Sequence, residues 1–142
     1  MNPEKEVRKI FRSDMKVLSK VERLSSEIAR HLKLPEDMRD NLSIAVTEAV
    51  GNAIVHGNKC DPAKKVEVTF TIEPSRIRVA VRDEGGGFNP KTLSNPLDPE
   101  NLMKESGRGI FILKTLMDEV HFSFSNSGTT VHFTMLTTVK TS

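Results

Sequence analysis

NLSIAVTEAVGNAIVHGN, residues 41–58, has the composition of a helix that is buried on most of its sides. Leu42, Ile44, Ala45, Val46, Ala49, Val50, Ala53, Ile54 and Val55 supply the apolar surface. One stripe is different: Glu48, Asn52 and His56 stand four residues apart and therefore along one side of the helix. An acid and an amide at this spacing are common on solvated helix faces. Here the neighbours are small or apolar nearly all round, and polar groups on a buried helix need partners, which places this rail in a cleft. Gly57-Asn58 is a natural stop for the helix.

Upstream, Val17, Leu18, Val21, Leu24, Ile28 and Leu32 recur at helical spacing, with Ser13 or Asp14 available as the cap. Leu34-Pro35 ends that helix, and Pro35 followed by Glu36 and Asp37 suits the first turn of the next. Before it, residues 7–11 alternate weakly and predict a short edge strand. Downstream, the period falls to two. Val66, Val68, Phe70 and Ile72 alternate with polar residues, as do Ile77, Val79 and Val81, and Glu73-Pro74-Ser75 is short enough to join them as a hairpin. Residues 88–106 hold three prolines and little periodicity, which predicts a lid or binding segment. Ile110, Phe111, Leu113, Leu116 and Met117 return to helical spacing, and two strands over 120–124 and 130–136 close the chain around Asn126-Ser127-Gly128. The expected fold is an α/β sandwich of two layers, with a mixed, largely antiparallel sheet and helices on one face.

Composition narrows the function classes. The 142 residues, 37% hydrophobic, suit one domain over 1–142. With 21 basic and 19 acidic residues the net charge of +2 argues for neither nucleic acid nor an anionic membrane as partner. The single cysteine excludes an internal disulfide, and neither a signal peptide nor a spanning apolar run is found, so the expected compartment is the cytoplasm. No Trp or Tyr is present to stack on single-stranded bases.

Two glycine-rich turns give the rail a ligand. In DEGGG, Asp83 ends a strand beside Gly85 and Gly87, where backbone without side chains lets a planar base approach and the carboxylate accepts from an exocyclic amino group. In SGRGI, glycines opening a helix leave amides and the helix dipole free for phosphates, with Arg108 adding a fork of donors. GxxxxGK[ST] is absent, and GRGIFI lacks the third glycine of a dinucleotide fingerprint. Together these pieces form a nucleotide site: Asp83 for the base, the Gly107 to Gly109 turn for the phosphates, and the rail for metal and chemistry. The amide oxygen of Asn52 suits a Mg²⁺ that arrives with the triphosphate and keeps several waters. Glu48, one turn away, is placed to take the proton of an attacking hydroxyl as the γ-phosphoryl group moves. His56 either touches phosphate or metal, or caps the last carbonyls of its helix. A zinc site from His56 and Cys60 lacks a second pair of suitable spacing.

TEAVGNAIVHG (47–57), DEGGGF (83–88), DPENLMKESGRGIFILKTLMDEV (98–120) and SGTT (127–130), in this order, resemble the N box, first glycine box, lid with second glycine box, and closing turn of the GHKL ATPase superfamily. Within it, the chain resembles the bacterial anti-sigma-factor serine/threonine kinases. The resemblance implies a Bergerat ATP-binding fold, a general base at Glu48, a Mg²⁺ ligand at Asn52, adenine recognition by Asp83 with Thr129 nearby, and phosphate contacts from Gly107, Arg108, Gly109 and Ile110. It implies a kinase that phosphorylates a serine or threonine on a small antagonist protein and, in its other state, binds a sigma factor. The first box departs from the pattern at Gly86, and the basic residue for the γ-phosphate is either Lys104 or Arg108. A short N-terminal strand and an apolar first helix suit a homodimer. The rival readings are a non-catalytic ATP-dependent switch that sequesters a partner, and a histidine kinase module, for which the helices before the N box offer no persuasive acceptor beyond His31.

Overall fold

A computed structural model describes residues 5–85 and 107–137. Strands β1 (Lys5–Arg12), β2 (Lys65–Glu73), β3 (Arg76–Arg82), β4 (Glu119–Ser125) and β5 (Gly128–Leu136) form one sheet in the order β1-β2-β3-β5-β4. All of its described pairings are antiparallel, so the parallel component that a mixed sheet implies is not found among the described residues. The register carries the apolar alternation from strand to strand. Val7 opposes Phe70, Phe70 opposes Val79, Val79 opposes Phe133, and Phe133 opposes Val120, giving one row across the inner face. A side-chain period of two keeps every such row on one side of the sheet. The closing hairpin is inserted with its second strand inward, so β5 lies beside β3 and β4 takes the edge.

The helices cover that inner face. Asp14 opens a 3-10 turn over Met15–Val17, its carboxylate accepting from the Lys16 amide at 2.9 Å, and leads into α1 (Leu18–His31). Ser13, the other candidate cap, is buried, and its hydroxyl donates to the Lys64 carbonyl at 2.9 Å, tying the end of β1 to the start of β2. α1 ends in a left-handed turn: Lys33 has φ 57° and the Leu34 amide donates back to the Ala29 carbonyl at 3.1 Å. Pro35 stands at the cap of α2 (Glu36–Asn52) rather than inside its first turn, which holds Glu36 and Asp37 against the positive end of the dipole. A single turn of wider radius, Ala53–Gly57, extends α2, and α3 (Gly107–Leu116) packs against α2.

Val21 and Ile28 of α1, Leu42, Val46 and Val50 of α2, and Leu113 of α3 meet the inner rows in one continuous core. The opposite face of the sheet is polar and bears exposed ion pairs, among them Arg8 with Glu67 at 2.7 Å and Glu73 with Arg76 at 3.1 Å. Such pairs add little to stability, so the fold rests on the helix-covered side. None of the described helices is long and apolar enough to cross a membrane.

Candidate functional site

Three elements meet at the end of β3. Asp83 is the first residue beyond the strand, and its amide still donates to the Thr129 carbonyl at 2.9 Å, as a ladder bond would. Its side chain is buried, with Oδ1 accepting from the Gly85 amide at 2.9 Å and the Thr129 amide at 3.2 Å. Burial pushes the Asp83 carboxyl above the ordinary aspartate range, against the two amides and the positive charge of Lys64, which act the other way. Oδ2 has no hydrogen-bond partner among the described residues.

Glycines make this carboxylate approachable. A Cβ on Gly57 would run into the Asp83 carboxylate, one on Gly85 into the Gly57 carbonyl, and one on Gly128 into the Asp83 carbonyl. Gly128 also has φ 153°, a backbone conformation that side chains disfavour. DEGGG pointed to Gly85. Gly57 and Gly128 belong to other elements, and their part depends on a tertiary approach that local sequence does not record. Gly87 and Lys104, like the lid expected over 88–106, lie outside the described residues.

The rail arrives at the same place. Glu48 and Asn52 are half-buried, one turn apart on α2. Asn52 Nδ2 is buried and has no hydrogen-bond partner among the described residues, which leaves one donor of the rail open to a partner beyond them. Past Asn52 the helix widens: the Asn58 amide donates to the Ala53 carbonyl, five residues back, at 2.8 Å. A wider turn advances each residue less around the axis, so the four-residue alignment holds for Glu48 and Asn52 and lapses for His56, which is exposed. That widened turn presses Gly57 onto Asp83, so the rail and the carboxylate share one wall.

Asn58, which the sequence marked only as a helix stop, is the fastening. It is fully buried, donates from Nδ2 to the Ser13 hydroxyl at 2.5 Å and to the Lys65 carbonyl at 3.0 Å, and accepts at Oδ1 from the Glu84 amide at 2.8 Å. Glu84 in turn accepts from the Lys65 amide at 2.7 Å. One amide thus joins the end of α2, the β1 end, the β2 start and the Asp83 turn. Its residue type at a helix end gives no sign of this, because exposed asparagines stand at helix ends just as often.

Gly107, Arg108, Gly109 and Ile110 form the first turn of α3, so the free amides of a ten-residue helix open at the expected phosphate turn. Thr129 follows Gly128 at the start of β5 and holds the Asp83 carboxylate through its backbone. Among the described residues no three His, Cys, Asp or Glu side chains gather as a metal site. Any cation at Asn52 would be held by the amide oxygen and draw its other ligands from phosphate and water, while the unpartnered Nδ2, a donor, suits a phosphate oxygen.

A buried carboxylate walled by glycines, an acid and amide rail, and a glycine-opened helix are the parts of an ATP-binding domain, and comparison with known proteins agrees. The family described as "Histidine kinase-like ATPase domain" matches residues 11–135. The serine-protein kinase RsbW of Bacillus licheniformis is 36% identical over 116 residues, 77% of this chain and 71% of that protein. The anti-sigma F factor of Bacillus cytotoxicus is 38% identical over 98 residues, 66% of each. Among solved structures, that of the RsbU and RsbW domains of a Mycobacterium tuberculosis protein superposes with TM-score 0.69 at 17% identity, covering 93% of this chain and 32% of that one, a likeness of fold. The chain belongs to the histidine kinase-like (GHKL) ATPase family and, within it, to the bacterial anti-sigma-factor serine kinases.

Proposed function

We propose that this chain is an ATP-dependent protein serine/threonine kinase of the anti-sigma-factor type, which phosphorylates a small antagonist protein and in its other state binds a sigma factor. The observation that carries the reading is the shared wall: Glu48 and Asn52 lie on a helix whose continuation, through Gly57, packs directly on the Asp83 carboxylate. Asp83 accepts from the adenine amino group through its unpartnered oxygen. The opening turn of α3, Gly107 to Ile110 with Arg108, receives the phosphates. Asn52 is the protein ligand for Mg²⁺, which when bound neutralises charge on the phosphates.

Glu48 accepts the proton of the acceptor hydroxyl as its oxygen bonds to the γ-phosphorus. The bond from that phosphorus to the β-γ bridging oxygen breaks and ADP departs, so the products are ADP and a phosphoserine or phosphothreonine. His56, exposed on the widened turn, is left to an outer phosphate contact. The unpaired outer side of β1, at the sheet edge, suits pairing of two copies, and the reading is that of a cytoplasmic homodimer.

The test uses purified protein, labelled ATP, Mg²⁺ and the cognate antagonist. Glu48→Gln should cut labelling of the antagonist by about a thousandfold while leaving ATP affinity within about twofold, because it removes the base and keeps the shape. Undiminished labelling removes Glu48 from this role. ATP binding without any transfer by the unaltered chain would favour the non-catalytic switch.

A further inference from the structure

A helix packed on a sheet ordinarily turns its polar residues away from the core. α2 does not follow that pattern. Its core side holds Leu42, Val46, Ala49 and Val50, and at 3.6 residues per turn the opposite side carries Ile44, Glu48, Gly51 and, entering the widened turn, Val55. Ile44 is 45% exposed and Val55 37% exposed, and Glu48 is the one charge between them. A Cβ built on Gly51 would meet nothing within 4 Å among the described residues, so no described neighbour excludes a larger residue there. Two exposed branched apolar side chains and a mid-helix glycine all work against the stability of an isolated fold. They make sense together as a surface that something covers.

We propose that the Ile44, Gly51 and Val55 face of α2 is the docking surface for the protein that supplies the acceptor hydroxyl. An apolar side chain of that protein packs on Ile44 and Val55, and its backbone passes close over Gly51. The proposal rests on the kinase reading, and Glu48 fixes the occupant. A hydroxyl that gives its proton to Glu48 comes within about 3 Å of that carboxylate. Ile44 lies one helical turn away, about 6 Å along the axis, so a folded protein bearing the hydroxyl covers it. Exposed apolar residues elsewhere, such as Leu136 on the helix-free face of the sheet, have no such constraint.

The experiment measures transfer of labelled phosphate from Mg-ATP to the antagonist protein that the unaltered chain phosphorylates, comparing Ile44→Asp with Leu136→Asp. Ile44→Asp should raise KM for the antagonist about tenfold or more while kcat at saturating antagonist and the affinity for ATP stay within about twofold. Leu136→Asp should change none of the three. An unchanged KM in Ile44→Asp overturns the proposal. So does a loss of ATP affinity at constant antagonist KM, which would give the face to the nucleotide or to another segment of this chain. If the unaltered chain labels no antagonist, the kinase reading itself falls and this surface with it, an outcome distinct from the other two.

Discussion

Asp83 shows how one residue serves two demands. Burial favours its protonated form, while recognition of an amino group needs an acceptor. Because its folded pKa lies above the unfolded value, near 3.9 for an ordinary aspartate, its protonated form contributes stability at pH below that value. The contribution is lost as pH rises through the raised folded pKa. At neutral pH the ionised group is held in place by the Gly85 and Thr129 amides without adding that increment. Asp83→Asn has nearly the same shape and does not titrate. Denaturation midpoints of the ligand-free protein between pH 4 and pH 7 should therefore fall less with rising pH in Asp83→Asn than in the unaltered chain. Parallel pH profiles would show that Asp83 ionises in the folded protein as it does in the unfolded one. The type and place of this residue were legible from DEGGG. The closeness of Gly57 and Gly128 was not, since it arises where residues far apart in sequence come to one point.

At the scale of elements, the informative piece is the end of α2. Spacing alone aligned three side chains, and the alignment fails at the third because the helix widens over Ala53–Gly57. A backbone bond from Asn58 to Ala53 replaces the usual four-residue link, and no residue type in AIVHG encodes that choice. The buried Asn58 side chain fastens the end of the widened turn to Ser13, Lys65 and Glu84. Asn58→Ala would leave the Glu84 amide and the Lys65 carbonyl without this side-chain partner in a site that is part-buried. At about 1–3 kcal/mol for each buried group left unsatisfied, the variant should lose about 3 kcal/mol in chemical denaturation. It should also bind ATP more weakly, because Glu84 and Gly85 are next in line to Asp83. A loss below about 0.5 kcal/mol would mean that water replaces the amide and that the turn is held by packing.

For the whole molecule, the layer architecture could be read from two periodicities. Residues 66–72 and 77–81 alternate with period two, and 17–32 recur at helical spacing; the sheet and its helical cover follow from these local patterns. The insertion of β5 between β3 and β4 could not be read. Strands 120–124 and 130–136 form a hairpin whichever of them faces β3, and only the register of Val79 with Phe133 distinguishes the two orders. The result matters for ligand binding, because it brings Gly128 and Thr129 beside Asp83 and so joins the chain's last hairpin to the end of α2. A ligand that bridges Asp83, the α2 rail and the first turn of α3 therefore spans elements from both halves of the chain. Such a ligand stabilises the folded state by mass action, by about 2.7 kcal/mol at a hundredfold excess over its Kd. For a chain of this size that corresponds to a rise in Tm of about 10 °C. Thermal unfolding with Mg-ATP should show this rise in the unaltered chain and in Glu48→Gln, which keeps every nucleotide contact proposed here. Asp83→Asn at the same ATP concentration should lose most of it, because the exchanged amide no longer offers the same acceptor to the base. GTP, which presents a carbonyl where ATP has an amino group, should give little rise in the unaltered chain. An equal rise with GTP would show that the Asp83 carboxylate does not read the base and that the wall it shares with Gly57 serves packing alone.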